Sequence, residues 1–208
     1  MTLEQVKDKI IKYGNIVDAK NFSPGTSGNI SMRYDDKIVI TASNSSNGSL
    51  TYDDLILIDF NGDVVYGDKK PSSEKFLHIE FYKQRPDINA IIHVHPIALS
   101  SFAAARKSLE EPIMAENVFY FGKIPLADYA LPSTMQLVNN VAKYFDNYNA
   151  ILMANHGFIV GEESIEQAYL KLELAEAYAQ TVLNAYILGG PVPLTEQEAK
   201  QIEELRNS

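Results

Sequence analysis

The sequence contains no cysteine, and this absence narrows the chemistry available to the protein. Disulfides, thiol nucleophiles and cysteine-ligated zinc sites are excluded together, so a bound metal must be held by histidine, aspartate or glutamate. The sequence also lacks any apolar run approaching the roughly 20 residues that cross a bilayer. Its first residues do not show the basic and apolar regions of a signal peptide. We therefore expect a cytoplasmic protein with no membrane partner.

Positive charge is scarce as well. The chain has 18 lysines and arginines against 27 aspartates and glutamates, which gives a formal net charge of -9. This balance argues against a nucleic-acid partner but is compatible with a small anionic ligand in a local pocket. With 208 residues, 46% of them hydrophobic and 22% charged, the composition is that of a globular protein, and we expect a single domain over residues 1–208.

The hydrophobic pattern predicts strands and helices interspersed along the chain. Thr2 and Gln5 form a capping-box pattern before the first helix, and Asn61-Gly62 is a strong hairpin signal. Strands are predicted at 30–33, 37–41, 55–60, 63–66, 90–95, 124–126, 150–154 and 158–160. Helices are predicted from Leu3 to before Asn21, from Ser72 or Ser73 to about 85, at 97–107 and 133–145, from Ser164 to 188, and from Thr195. This order indicates an α/β or α+β fold in which helices cover mixed strands.

Two of the four histidines, His93 and His95, stand two residues apart at the end of an apolar run. In a strand, both side chains would lie on one face and could bind one cation, although hydrogen-bonded core histidines have the same spacing. His156, at a turn after a second apolar strand, favours the metal interpretation. Three protein ligands with an open fourth position are typical of catalytic zinc. His78, inside a helical pattern, is interpreted as structural.

Glu74 is the acidic residue that best complements these histidines. It stands at the start of a predicted helix, where the helix dipole alone would account for it. Beside three candidate ligands it gains a sharper role, either as a fourth ligand displaced by substrate or as a base.

Three turns rich in serine and glycine are candidates for binding an oxyanion: 25–29, 43–48 and Ser72-Ser73. Backbone N–H groups in such turns, and the helix N-terminus after Ser73, suit a phosphate. Ordinary loops have the same composition. The turns predict a phosphate site only if the fold brings them together.

Four segments resemble the class II aldolase/adducin family, in the same order and at similar separations: 25–33, 71–74, 85–95 and 155–157. The resemblance extends over nearly the whole chain. It implies a three-layer fold with a central, mainly antiparallel sheet flanked by helices. It also implies a homotetramer with active sites at subunit boundaries.

In the fuculose-phosphate aldolase branch of this family, the resemblance implies zinc held by His93, His95 and His156, with Glu74 as fourth ligand and acid/base. The implied substrate is a ketose 1-phosphate, cleaved to dihydroxyacetone phosphate and an aldehyde. The implied phosphate contacts are Thr26, Asn29, Ser43, Asn44, Ser72 and Ser73.

The sequence departs from that branch at two places. Ser43-Asn44 stands where a Thr-Gly or Ser-Gly pair is usual, but asparagine tolerates left-handed backbone angles, which would preserve the loop. The tyrosine that would protonate the leaving group has no clear match. Glu116 and Tyr120 are the candidates for that role, and an ordinary structural role is equally open for each.

Three other functions remain open within the resemblance. L-ribulose-5-phosphate 4-epimerases usually have aspartate after the Ser-Ser pair, so Glu74 favours an aldolase, whereas the segment 119–122 is similar to the epimerase. A methylthioribulose-1-phosphate dehydratase would use the same three histidines, and Glu116 is compatible with it. A non-catalytic, adducin-like binding module would be expected to lack a ligand histidine, and none is missing here.

Overall fold

An eight-stranded sheet runs through the centre of the structure, a computed structural model that describes residues 1–206. The strands are β1 Asn29–Tyr34, β2 Lys37–Thr41, β3 Leu55–Ile58, β4 Val64–Tyr66, β5 Ala90–Val94, β6 Leu126–Ala127, β7 Ala150–Met153 and β8 Gly157–Glu162. The helices are α1 Leu3–Ala19, α2 Lys75–Gln84, α3 Ile97–Ala104, α4 Ala115–Tyr120, α5 Met135–Ala142, α6 Ile165–Ile187 and α7 Glu196–Arg206. Two short 3-10 helices, Asn47–Ser49 and Tyr52–Asp54, lie between β2 and β3.

The strand order is β4-β3-β2-β1-β5-β8-β7-β6. Every neighbouring pair is antiparallel except β6 and β7, which are parallel. The first four strands therefore form a meander, and β5 returns beside β1 after α2. The predicted mixed fold with a central, mainly antiparallel sheet is confirmed.

Helices cover both faces of the sheet because its strands alternate two apolar faces. On β5, Ile92 belongs to one buried cluster, with Val6 of α1 and Leu172 of α6. Its neighbour Ile91 belongs to a second cluster, with Leu77 of α2 and Val138 of α5. The result is three layers, with β1, β5 and β8 in the middle of the central one. No helix within residues 1–206 has the length and hydropathy needed to span a bilayer.

The segment before α5 differs from the prediction in two ways. The strand expected at 124–126 is β6 at Leu126–Ala127, and Ile124 instead makes an isolated bridge with Leu109. α4 was not predicted at all. It is six residues long and its N-cap residue, Met114, makes no side-chain cap, so the local sequence carries no start signal for it.

Candidate metal centre

Three histidines meet where β5 ends and β8 begins. His93 lies on β5 opposite Ile159 of β8, His95 follows directly after that strand, and His156 lies in the turn before β8. The ring centroid of His93 is 4.8 Å from that of His95 and 4.8 Å from that of His156. The centroids of His95 and His156 are 5.4 Å apart. One nitrogen of each ring lies within 4.8 Å of the others. The structure therefore brings together the three histidines that the spacing singled out.

The carboxylate of Glu74 lies against this cluster. Its Oε2 is 3.0 Å from His93 Nε2, and its Oε1 is 3.4 Å from His156 Nε2. Around a tetrahedral zinc with bonds of about 2.0–2.1 Å, neighbouring ligand atoms are about 3.3 Å apart. The spacing of these atoms is therefore close to that of ligands that share one ion.

Glu74 is free for this contact because it does not cap its helix. The helix predicted from Ser72 or Ser73 begins at Lys75, with Glu74 at the N-cap position and no side-chain cap. Ser72 Oγ instead accepts a hydrogen bond from the backbone N–H of Glu74, at 3.2 Å. The predicted serine N-cap is therefore wrong. Glu74 takes the N-cap position, and its carboxylate faces the histidines.

Several buried polar atoms of the cluster have no hydrogen-bond partner within the described chain. They are His95 Nε2, His156 Nδ1 and Glu74 Oε1, and His93 Nε2 has only the Glu74 carboxylate beside it, at 3.0 Å. An unpaired buried polar group costs about 1–3 kcal/mol, so a concentration of them indicates a missing ligand. The Nδ1–H of His93 donates to the carbonyl of Phe158 at 2.9 Å, which leaves the Nε2 lone pair directed to the cluster. The donor set and its unpaired atoms fit a divalent cation.

The ionisation of these groups also suits metal binding. Burial, followed by the charge of His93, lowers the pKa of His95 to about 3 and that of His156 to about 4. Burial opposes ionisation of Glu74, but His93 and the amide of Asn29 outweigh it and hold the pKa of Glu74 below its usual value. At neutral pH the cluster thus offers the carboxylate of Glu74 and the neutral imidazoles of His95 and His156, which are the ligand forms of these residues. Burial opposes protonation of His93, but the Glu74 carboxylate outweighs it and raises the pKa of His93, so a bound cation would take the place of that proton.

The three turns considered for phosphate binding are linked by hydrogen bonds. Asn47 Nδ2 donates to the carbonyl of Ser27 at 3.4 Å, which joins the first turn to the second. Ser43 Oγ donates to the carbonyl of Pro71 at 2.9 Å, which joins the second turn to the residue directly before the third. Asn44, which stands where glycine is usual, has a φ of 62° and therefore adopts the left-handed backbone angle expected for the loop. The fold therefore brings the three turns together.

The six residues expected at the phosphate differ in exposure. Thr26, Asn44 and Ser73 are exposed, Ser43 is half-buried, and Asn29 and Ser72 are buried. Asn29 Nδ2 donates to Glu74 Oε2 at 3.1 Å, and Asn29 Oδ1 is hydrogen-bonded to His78 Nε2. The side chain of Asn29 thus lies between the metal centre and the core.

Glu116 and Tyr120 lie exposed on α4, which packs on α6 and α7. The backbone carbonyl of Tyr120 accepts a hydrogen bond from Lys171 Nζ at 2.6 Å. Within residues 1–206, no hydrogen bond joins either side chain to the three histidines. The structure does not bring these two candidates into the metal centre of their own chain.

Sequence patterns gave His78 only a structural interpretation, yet it lies directly behind the metal centre. It is fully buried and bonded to Asn29 and Ser31. One signal was available in the spacing, because Glu74, His78 and Tyr82 are four residues apart and thus follow one side of α2.

Comparison with known proteins identifies the family of this chain. Residues 8–183 match the family described as Class II Aldolase and Adducin N-terminal domain. The chain is 30% identical to the 5-deoxy-D-ribulose 1-phosphate aldolase of Bacillus thuringiensis serovar kurstaki, over 97% of this chain and 95% of the relative. It is 34% identical to the L-fuculose phosphate aldolase of Methanocaldococcus jannaschii, over 87% of this chain and 98% of the relative.

A solved structure titled L-fuculose 1-phosphate aldolase has a TM-score of 0.92 and 31% sequence identity, and the match covers 100% of this chain and 99% of the other. The expectation of a lyase is confirmed by these relatives, which are named as aldolases. The implied resemblance is confirmed as well: the chain belongs to the class II aldolase and adducin N-terminal domain family.

Proposed function

We propose that this protein is a zinc-dependent aldolase that cleaves a ketose 1-phosphate, such as L-fuculose 1-phosphate, into dihydroxyacetone phosphate and an aldehyde. The observation that carries the proposal is the position of the Glu74 carboxylate, 3.0 Å from His93 Nε2 and 3.4 Å from His156 Nε2. A carboxylate beside convergent imidazoles supplies zinc ligands and a base at one place. The names of two relatives, each an aldolase of a ketose 1-phosphate, support this substrate class.

His93, His95 and His156 would hold the metal, with Glu74 as the fourth ligand before substrate binds. Zinc, when bound, supplies a positive charge beside the substrate carbonyl, where negative charge develops during cleavage. Because all three histidines are present and converge, we favour catalysis over a binding module that has lost it.

Glu74 is the proposed acid/base. In cleavage, the hydroxyl on the fourth carbon gives up its proton, the bond between the third and fourth carbons breaks, and its electron pair passes to the carbonyl at the second carbon. The third carbon then takes up a proton through Glu74, which receives that proton from solvent and returns it in the reverse reaction. Glu116 or Tyr120 of a neighbouring subunit is proposed to pass the hydroxyl proton to solvent, which balances the proton taken up at the third carbon.

The proposed phosphate contacts are the six residues of the three linked turns: Thr26, Asn29, Ser43, Asn44, Ser72 and Ser73. The hydrogen bonds that join these turns to one another and to Glu74 support the proposal, since they hold the turns at the side of the site that carries Glu74. Binding through the phosphate would orient the substrate carbonyl relative to the metal.

A homotetramer in the cytoplasm, with active sites at subunit boundaries, completes the proposal. Two large apolar side chains near the site support a subunit contact there, since Ile97 and Leu131 are each 65% exposed in the single chain. Ile97 lies two residues after His95, and Leu131 lies two residues before Ser133, whose hydroxyl donates to Ser73 Oγ at 2.8 Å. Light scattering on the purified protein would measure the assembly.

The decisive experiment is a screen of ketose 1-phosphates with the zinc-loaded protein. Release of dihydroxyacetone phosphate would be followed by its coupled reduction, with Glu74→Gln as the inactive control. L-Ribulose 5-phosphate and methylthioribulose 1-phosphate would be tested in parallel for epimerisation and loss of water. Dihydroxyacetone phosphate from at least one ketose 1-phosphate is expected. Conversion of either parallel substrate alone would replace the aldolase with an epimerase or a dehydratase.

A further inference from the structure

Behind Glu74, four buried side chains form a continuous chain of hydrogen bonds, which we call the Asn29 network. Asn29 Nδ2 donates to Glu74 Oε2 at 3.1 Å, and Asn29 Oδ1 is bonded to His78 Nε2. His78 Nδ1 is 2.7 Å from Ser31 Oγ, which is 2.9 Å from the hydroxyl of Tyr82. His78 and Ser31 are fully buried, and Tyr82 is 1% exposed. The network thus extends from the metal centre into the core.

The network forms where one face of β1 meets one side of α2. Asn29 and Ser31 are two residues apart on β1 and share one face of the strand. His78 and Tyr82 are four residues apart on α2 and share one side of the helix, in line with Glu74. The polar residues of the strand therefore meet the polar residues of the helix within an otherwise apolar interface.

The direction of each hydrogen bond follows from the carboxylate end. A carboxylate only accepts, so Asn29 must turn its NH₂ to Glu74 and its carbonyl to His78. His78 must then carry its proton on Nε2 and accept from Ser31 at Nδ1, which leaves Tyr82 to donate to Ser31. Burial, followed by the charge of His93, lowers the pKa of His78 to about 3, so the ring is neutral at physiological pH and has one donor and one acceptor.

We propose that His78 is a positioning residue, which holds the amide of Asn29 in the one orientation that fixes the Glu74 carboxylate against His93 and His156. Without the Nε2–H of His78, the buried carbonyl of Asn29 loses its partner and the amide is no longer held. Rotation of the amide would bring its oxygen against Glu74, where two acceptors repel each other. The consequence for turnover rests on the proposed aldolase function, whereas the consequence for zinc binding does not.

The test compares His78→Leu, which can neither donate nor accept, with His78→Gln, whose amide can do both. Residues that orient metal ligands typically contribute about 10–100-fold to metal affinity or activity. We expect His78→Leu to weaken Zn²⁺ affinity, measured by competition with a chelating dye, by about this factor and to lower kcat more than it raises KM. His78→Gln should recover most of both losses.

Tyr144→Phe is the matched control, because it removes a hydrogen bond to the Leu126 carbonyl at the far edge of the sheet. It should leave Zn²⁺ affinity and kcat unchanged. Wild-type Zn²⁺ affinity in His78→Leu would overturn the proposal, and so would an equal loss in Tyr144→Phe.

A second measurement does not depend on whether His78→Leu folds. In the wild-type protein labelled with ¹⁵N-histidine, the His78 ring should be the neutral Nε2–H tautomer, assigned by the signal that disappears in His78→Gln. A proton on Nδ1 would overturn the proposal. Failure of the aldolase function would appear separately, as a wild-type protein that cleaves no ketose 1-phosphate while His78→Leu still weakens Zn²⁺ binding.

Discussion

Gly157 lies directly against the imidazole of His95, with no room for a side chain between them. A Cβ atom at Gly157 would overlap His95 Cδ2 and come within 2.8 Å of the Val94 carbonyl oxygen. Because a backbone atom is involved, the overlap cannot be relieved by a side-chain rotation alone. The glycine therefore allows the turn that carries His156 to approach the strand that carries His93.

We expect Gly157→Ala to lose metal while it keeps its fold. The added methyl group would push the His95 ring away from the other ligands, and Zn²⁺ affinity should fall by about tenfold or more. Gly161→Ala, on the same strand, is the control, since its Cβ would meet only side-chain atoms of Ile88 and Phe81 at 3.0 Å. That variant should be less stable to heat but bind Zn²⁺ normally. Wild-type Zn²⁺ affinity in Gly157→Ala would contradict this prediction, since it would show that His95 can move without loss of Zn²⁺ binding.

Local periodicity was sufficient to predict that His93 and His95 lie close together, whereas their interpretation as metal ligands depended also on His156, Glu74 and the family resemblance. Two residues on an alternating strand share a face whatever the rest of the chain does. The linking of the three turns was not predictable in this way. It depends on Asn47 reaching Ser27, 20 residues away, and on Ser43 reaching Pro71, 28 residues away. Such pairs have no local signature, and only the sheet order brings them into contact.

The same reasoning explains the two clearest differences in the secondary structure. α4 is stabilised by its packing on α6 and α7, not by its own cap, so the sequence of the segment gives little sign of it. The start of α2 was placed too early because serine is a good N-cap residue in isolation. In the structure, the turn before α2 is shaped by the contact of Glu74 with the histidines.

Removal of the metal should abolish activity and reduce stability together. Because the site contains buried ligand atoms without partners, bound Zn²⁺ should stabilise the native state, by about 2.7 kcal/mol at a free concentration 100 times Kd. We expect roughly one Zn²⁺ per chain, as for a three-histidine catalytic site. His95→Ala should lose both the metal and the rise in melting temperature on Zn²⁺ addition. Full activity in chelator-treated protein, before Zn²⁺ is restored, would refute the metal mechanism.

Substitution of Asn44 should separate substrate binding from chemistry. Its φ of 62° lies in the left-handed region, which glycine adopts freely and a β-branched residue adopts at a cost of about 1–2 kcal/mol. Asn44→Val should therefore distort the second turn and raise KM for the phosphorylated substrate more than it lowers kcat. Asn44→Gly, which keeps the angle, should have a KM close to wild type. Equal KM values in both variants would remove Asn44 from the phosphate site.

Asp54 anchors the second turn and should make it sensitive to acid. Its carboxylate accepts hydrogen bonds from Thr51 Oγ at 2.7 Å, Ser45 Oγ at 2.9 Å and Lys69 Nζ at 2.8 Å. Burial opposes its ionisation, but these donors outweigh burial and lower the pKa of Asp54. Since Ser45 lies two residues after Ser43, the anchor also bears on the proposed phosphate contacts.

A carboxyl whose pKa is lower in the folded state contributes stability above its unfolded pKa of about 3.9. That contribution is lost as the pH falls below this value and through the folded pKa. Asp54→Asn should therefore lower the free energy of unfolding at pH 7 by about 1.5–3 kcal/mol, the range for hydrogen bonds to a charged group. In urea titrations, the difference in free energy of unfolding between Asp54→Asn and wild type should shrink below about pH 4. At that pH the Asp54 side chain of the unfolded wild-type protein is protonated and, like asparagine, uncharged. Asp63→Asn, at an exposed position, is the control and should have the wild-type free energy of unfolding at pH 7. A constant difference between Asp54→Asn and wild type down to strongly acidic pH would instead assign the effect to packing.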